Sequence, residues 1–224
     1  VAGPIGIGLA FVMGLALFDV ARQSAIVVSR ARLANDTAPN PDQPWGITAQ
    51  TLPIIGSPEQ QILDALWTAR QAAALKPSAH RAALVASAVG EALEARPARP
   101  EWGEADLVLA YAASLGDSAA DQRLARQALV ASYGSAPLLH DAGLWRIGYG
   151  VKVWPMLGRS TQDAIMNEGV WMLGVDQSRW ARVFDTFRAS PAYVPFMLRW
   201  RTILSGAPEN PPGLSEAQAD QRQE

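Results

Sequence analysis

Apolar residues recur along this chain with the spacing of helices, and prolines and glycines cut the pattern into segments one helix long. Ile62, Leu63, Leu66, Trp67, Arg70 and Ala73 predict a first helix, closed by Pro77, and Ser78 opens a second through Leu84, Val85, Val89 and Leu93 to the turn at Pro97. The third starts at Pro100, with Glu101 and Glu104 in its first turn, where the helix dipole favours negative charge. It runs to Leu115, with Gly116 expected as a left-handed cap. From Leu107 to Leu115 it has almost no polar face, so it should lie inside a stack. Asp117 or Ser118 starts the fourth helix. There Leu124, Ala125, Ala128, Leu129 and Tyr133 make an apolar face while Asp121, Gln122, Arg123, Arg126 and Gln127 point elsewhere, the pattern of a helix covering the third from outside.

Beyond Pro137 a fifth helix carries Leu138, Leu139, Leu144, Trp145, Ile147, Tyr149, Val151, Val153 and Trp154. Gly143, Gly148 and Gly150 weaken it by about 1 kcal/mol each relative to alanine, which a closely packed neighbour would offset. After Pro155, Ser160 or Thr161 should cap a helix with Ile165, Val170, Trp171 and Leu173, ending at Gly174. Asp176 should cap the next, with Trp180, Val183, Phe184 and Phe187. Ser190 and Pro191 open the last, and Pro195 makes it begin late or kink. The expected fold is all-α: an N-terminal transmembrane helix followed by a tetratricopeptide-like stack of antiparallel helices over residues 59–204.

The opening stretch is of another kind. Val1 to Phe18 is uncharged and nearly all apolar or glycine, and as a helix would be roughly 27 Å long, close to the roughly 30 Å hydrocarbon core of a bilayer. It reads as a single-pass anchor. The rival, a cleaved signal peptide, needs a small-x-small site that Phe18, Asp19 and Val20 supply poorly. Ala2, Gly6, Ala10 and Gly14 fall on one stripe, where small side chains let membrane helices approach closely. Arg22, Arg30 and Arg32 follow the span and by the positive-inside rule favour a cytoplasmic flank, a preference that charge ahead of the span would oppose. The expected placement is the bacterial inner membrane, single-pass, with a periplasmic soluble domain. Residues 1–33 thus form the anchor and juxtamembrane segment and residues 34–58 a proline-rich linker. Residues 205–224, with proline, glycine and charge but little to bury, should form a disordered tail.

A net charge of −2 leaves no overall electrostatic footprint for nucleic acid, and the absence of cysteine excludes disulfides and thiolate metal sites. With His80 and His140 as the only histidines and no paired metal-ligand motif, no metal or cofactor is expected. His140 and Asp141, adjacent on a helix, would point about 100° apart and make a poor catalytic dyad. The C-terminal half is the best candidate for a binding surface: Trp145 and Tyr149 lie one turn apart, with Arg146 and Trp154 nearby, an aromatic and cationic set suited to a sugar or lipid headgroup. Core packing by the same tryptophans is the competing reading. A membrane-tethered enzyme with an acid site around Asp163, Glu168 or Asp176 is a further alternative.

The run RPARPEW…ADLVLAYAASL…LARQALVASYGSAPLLHDAGLWRIGYGVKVWPML resembles the VpsP-like proteins associated with bacterial polysaccharide biosynthesis. The matching positions are Pro97, Pro100, Trp102, Leu109, Leu115, Ala128, Leu129, Pro137 and Trp154, and the resemblance covers residues 90–175 together with the anchor. Its spacing departs from a true tetratricopeptide repeat: Pro100 to Pro137 is 37 positions against about 34, and no second copy follows at that interval. The resemblance implies a non-enzymatic accessory role in making or exporting an exopolysaccharide. The implied partners are the membrane, proteins of the assembly complex and the polysaccharide itself, and no catalytic residues are carried over.

Overall fold

The computed structural model describes residues 26–27, 57–98, 103–140 and 142–205. These form eight α-helices: α1 (Pro58–Ala74), α2 (Ala79–Ala95), α3 (Gly103–Ser114), α4 (Ala119–Ser135), α5 (Gly143–Lys152), α6 (Arg159–Val175), α7 (Trp180–Arg188) and α8 (Tyr193–Leu204). No strand occurs among the described residues. None of their helices is long and apolar enough to cross a membrane. The expected span Val1–Phe18, its stripe Ala2, Gly6, Ala10 and Gly14, most of the linker and the tail beyond Ser205 lie outside the described residues.

The chain divides into two compact units, the first ending at Pro137 and the second beginning at Leu138. In the first, α1 pairs with α2 and α3 with α4, and α3 also packs on α1 and α2. Alanine makes these contacts close. Ala69, Ala88 and Ala112, one from each of α1, α2 and α3, meet in a cluster flanked by Val89, Tyr111 and Leu115. Small side chains let helix axes approach, and dispersion contacts accumulate over the shortened gap. The apolar α3 is buried almost throughout, from Gly103 through Ala113 with only Glu104 exposed and Tyr111 half-buried. α4 covers it with Ala125, Ala128, Leu129, Ser132 and Tyr133.

Local chemistry sets the helix ends. Ser57 caps α1 by accepting from the Gln60 N–H, so Pro58, expected in the linker, occupies the first turn, where its missing N–H costs nothing. Ser78 caps α2. Ser118 and Asp121 form a reciprocal capping box at α4. Gly116 is not the left-handed cap that its position predicts. A Cβ there would lie 2.5 Å from the Asp121 carboxyl carbon, so glycine makes room for the capping carboxylate. The carbonyls left open at the end of α3 are satisfied from a distance: the Leu115 carbonyl accepts from Arg81 at 2.7 Å and the Gly116 carbonyl from Gln122 at 2.7 Å.

Two tests of the first unit follow from single residues. Gly90 lies inside α2, with nothing within 4 Å of where its Cβ would stand. Gly90→Ala should therefore raise stability by about 0.5–1 kcal/mol in urea unfolding. Asp106, on α3, is 3% exposed, pairs with Arg96 at 2.7 Å and accepts from the Ser135 hydroxyl at 3.3 Å. Burial nonetheless pushes its carboxyl above the ordinary value, outweighing Arg96 and Ser135, which lower it. An acid held more tightly protonated in the fold than in the unfolded chain loses folding stability as pH rises from the unfolded value, near 3.8, toward the folded one. Asp106→Asn should abolish that decline, gaining on the wild type between pH 3 and pH 7 in parallel denaturation curves.

Candidate functional site

The second unit is organised by the facing surfaces of α5 and α6. Gly143, Arg146, Ile147 and Gly150 occupy one face of α5 at helical spacing, and Ile165, Glu168, Gly169 and Met172 one face of α6. The two run antiparallel in a defined register. A Cβ on Gly150 would stand 2.5 Å from Ile165 Cδ1, and one on Gly143 would stand 2.5 Å from Met172 Cε. Between these contacts Arg146 meets Glu168. The two glycines thus have the close neighbour that their cost predicts, whereas Gly148 meets only Thr186 Cγ2, at 3.8 Å.

The Arg146–Glu168 pair is bidentate and both side chains are fully buried. Arg146 Nε donates to Glu168 Oε2 at 2.9 Å, its Nη2 donates to Oε1, and the Leu139 N–H donates to the same Oε1 at 3.0 Å. The fork of the guanidinium matches the carboxylate, and the Leu139 amide ties the preceding loop to the pair. A pair this deep needs such geometry, because taking two charges out of water costs several kcal/mol per ion.

The structure brings Trp145, Arg146, Tyr149 and Trp154 onto α5 and the turn that follows it, but not onto a common surface. Arg146 is 0% exposed and turned into the core toward Glu168, so it cannot meet a ligand at the surface. Tyr149 and Trp154 are each 8% exposed. Tyr149 stacks on Trp145 with ring centres 5.3 Å apart and planes 11° apart, leaving Trp145 half-buried as the outermost of the four. Trp154 lies in the 3-10 turn Trp154–Met156, whose Trp154 and Leu157 carbonyls accept from Gln162 at 3.0 and 3.2 Å. Those two hydrogen bonds hold the entry to α6, whose N-cap is Gly158 without a side-chain bond, not Ser160 or Thr161.

The carboxylates of the alternative acid site are each engaged by arginine. Asp163 pairs with Arg199 at 3.3 Å, and Glu168 with Arg146. Asp176 pairs with Arg179 at 2.8 Å and lies 3.7 Å from His140 Nε2. The Ser178 hydroxyl, then its N–H, Arg179 and His140 hold the Asp176 carboxyl below the usual range against opposition from burial. Asp176 caps the short 3-10 turn Gln177–Arg179 and not α7 itself. Arg179 also donates to the His140 carbonyl at 2.5 Å, and the His140 ring stands edge-on to Trp171 at 6.5 Å. Asp141, the suggested partner of His140, lies outside the described residues. Among the described residues no group of three or more histidines, aspartates or glutamates is placed to hold a metal ion.

α7 and α8 close the unit with an aromatic seam. Trp180 meets Trp200 edge-on at 5.9 Å, Phe184 meets Phe196 at 5.9 Å, and Phe187 stacks on Phe196 at 3.9 Å. The seam rests on Gly169 of α6, where a Cβ would stand 2.8 Å from Phe187 and 3.0 Å from Phe196. α8 begins at Tyr193, so Pro195 falls in its first turn and needs no kink. Sequence reasoning missed the Arg146–Glu168 pair; its signal was an arginine on the glycine and isoleucine face of α5 and a glutamate on the apolar face of α6. No protein-family model, curated protein or solved structure matches the chain.

Proposed function

We propose that this protein is a membrane-anchored, non-enzymatic scaffold of a bacterial exopolysaccharide assembly complex. Its anchor would hold the helical units beside an integral-membrane enzyme or exporter, and the helices would offer that partner a surface. The observation that carries the scaffold reading is the first unit, two stacked helix hairpins with alanine at their contacts, an architecture suited to presenting extended helical faces. The engagement of Asp163, Glu168 and Asp176 by arginines supports structural roles for these carboxylates over an acid site. The polysaccharide pathway rests on the resemblance centred on residues 90–175, and the anchor on the apolar run Val1–Phe18.

Deleting the gene and quantifying surface polysaccharide tests the reading. Loss of polymer, restored by the whole chain but not by a chain lacking Val1–Phe18, is the expected result. Unchanged polymer in the deletion strain would remove the pathway assignment. Restoration by the truncated chain would remove the anchored mechanism, and sugar transfer by the purified protein would replace the scaffold with an enzyme.

A further inference from the structure

The outer face of α8 is apolar and open. Val194 is 64% exposed, Leu198 60% and Leu204 66%, and of the helix's twelve residues only Phe196 is buried. Val194, Leu198 and Arg201 follow one another at four and three residues, so they share one stripe on the side opposite Phe196. The aromatic seam against Gly169 turns the exposed faces of α7 and α8 away from α6.

Charge distinguishes this surface from the rest of the molecule. Residues 177–205 carry five arginines and one aspartate, a balance of 5 − 1 = +4, in a chain whose net charge is −2. Arg179, Arg188 and Arg199 are engaged by Asp176, Asp185 and Asp163. Arg182 and Arg201 are exposed and have no ion pair among the described residues. Exposed aliphatic side chains with Arg201 on the same stripe and a second exposed arginine, Arg182, on the neighbouring α7 match the boundary of an anionic bilayer, where acyl chains accept the former and headgroup phosphates the latter. At 12 residues α8 is about 18 Å long, too short to span but long enough to lie in the headgroup plane.

We infer that the exposed face of the α7–α8 hairpin docks on an anionic lipid surface, with Val194, Leu198 and Leu204 entering the acyl boundary and Arg182 and Arg201 meeting phosphates. This inference does not depend on the polysaccharide reading.

The absence of cysteine gives a clean test in the full chain. Leu198→Cys, labelled with a polarity-sensitive fluorophore, is mixed with phosphatidylcholine vesicles or with vesicles containing about one third phosphatidylserine. Ser87→Cys, at an exposed position of α2, serves as the control. The expected result is a blue shift and at least tenfold slower iodide quenching at position 198 with anionic vesicles only. Adding Arg182→Glu and Arg201→Glu should remove the response while circular dichroism stays unchanged. A label at 198 that remains open to iodide with both vesicle types overturns the inference. So does protection without vesicles, which would assign the face to a second copy, or equal protection at Ser87→Cys, which would mean that no particular face is recognised.

Discussion

Glu168→Ala is expected to cost about 3–5 kcal/mol of stability in the second unit, because it leaves Arg146 charged, fully buried and without its fork partner. Arg146→Ala should cost a similar amount by stranding the carboxylate. The physical content lies in the double variant. Arg146→Met with Glu168→Leu removes both charges at similar volume and should be more stable than either single variant, since no ion then remains to be desolvated. It should still fall short of the wild type by about 1–3 kcal/mol, because the Leu139 N–H loses its acceptor. Asp163→Ala provides the contrast: its side chain is 42% exposed, and breaking its pair with Arg199 should cost less than about 1 kcal/mol. Urea unfolding followed by tryptophan fluorescence suits these comparisons, since five of the eight tryptophans lie in the second unit. A double variant no better than the single ones would show that the pair contributes through its shape and not through cancelled charge.

Phe196→Ala is expected to cost about 3–5 kcal/mol and to release α8 first. Phe196 is 0% exposed, the one fully buried member of its helix, and it touches both Phe184 and Phe187. Loss of the ring leaves a cavity over Gly169 that the stacked Phe187 cannot fill without leaving its own contact. Amide hydrogen exchange should accelerate across Tyr193–Leu204 before it does so in α5 or α6. Leu198→Ala, two residues further on but 60% exposed, should change stability by no more than about 0.5 kcal/mol. Equal effects at 196 and 198 would mean that both faces of α8 are covered in solution. That outcome would also bear on the proposed lipid-docking face, which requires position 198 to be open before vesicles are added.

These expectations separate two uses of charge in the second unit. Arg146 and Glu168 set the register between α5 and α6, held between the Gly143–Met172 and Gly150–Ile165 approaches. Arg182 and Arg201 remain at the surface, where their charge acts on whatever approaches. Both uses involve arginine, whose planar fork suits a buried carboxylate and a phosphate alike.

Much of the fold was legible in the chain because its signals are local. Helical spacing, Ser78 and Ser118 as caps, and prolines near helix ends announced most of the elements, since a helix satisfies its own backbone and its apolar face repeats at short range. The absence of a polar face on α3 foretold its burial for the same reason. Boundaries shifted where a side chain reached back or forward: Ser57 moved the start of α1 to Pro58, and Gly158 opened α6 ahead of Ser160. The candidate binding set was less legible. Trp145, Arg146, Tyr149 and Trp154 are close in sequence, yet a helix turns about 100° per residue, so Arg146 faces the core while Trp145 stays near the surface.

The sequence by itself determined the helical character of the described residues, the approximate places where most of their helices start and stop, and the close neighbours of Gly143 and Gly150. Only the tertiary structure decided that Arg146 meets Glu168 across 22 positions, that Gly116 admits a capping carboxylate, and that α8 buries Phe196 while leaving Val194 and Leu198 open. The reason is physical. Helix formation depends on hydrogen bonds four residues apart, which local composition encodes, whereas the partner of a buried charge and the cover of an apolar face depend on which distant surfaces meet, and many helix faces of similar composition compete for each.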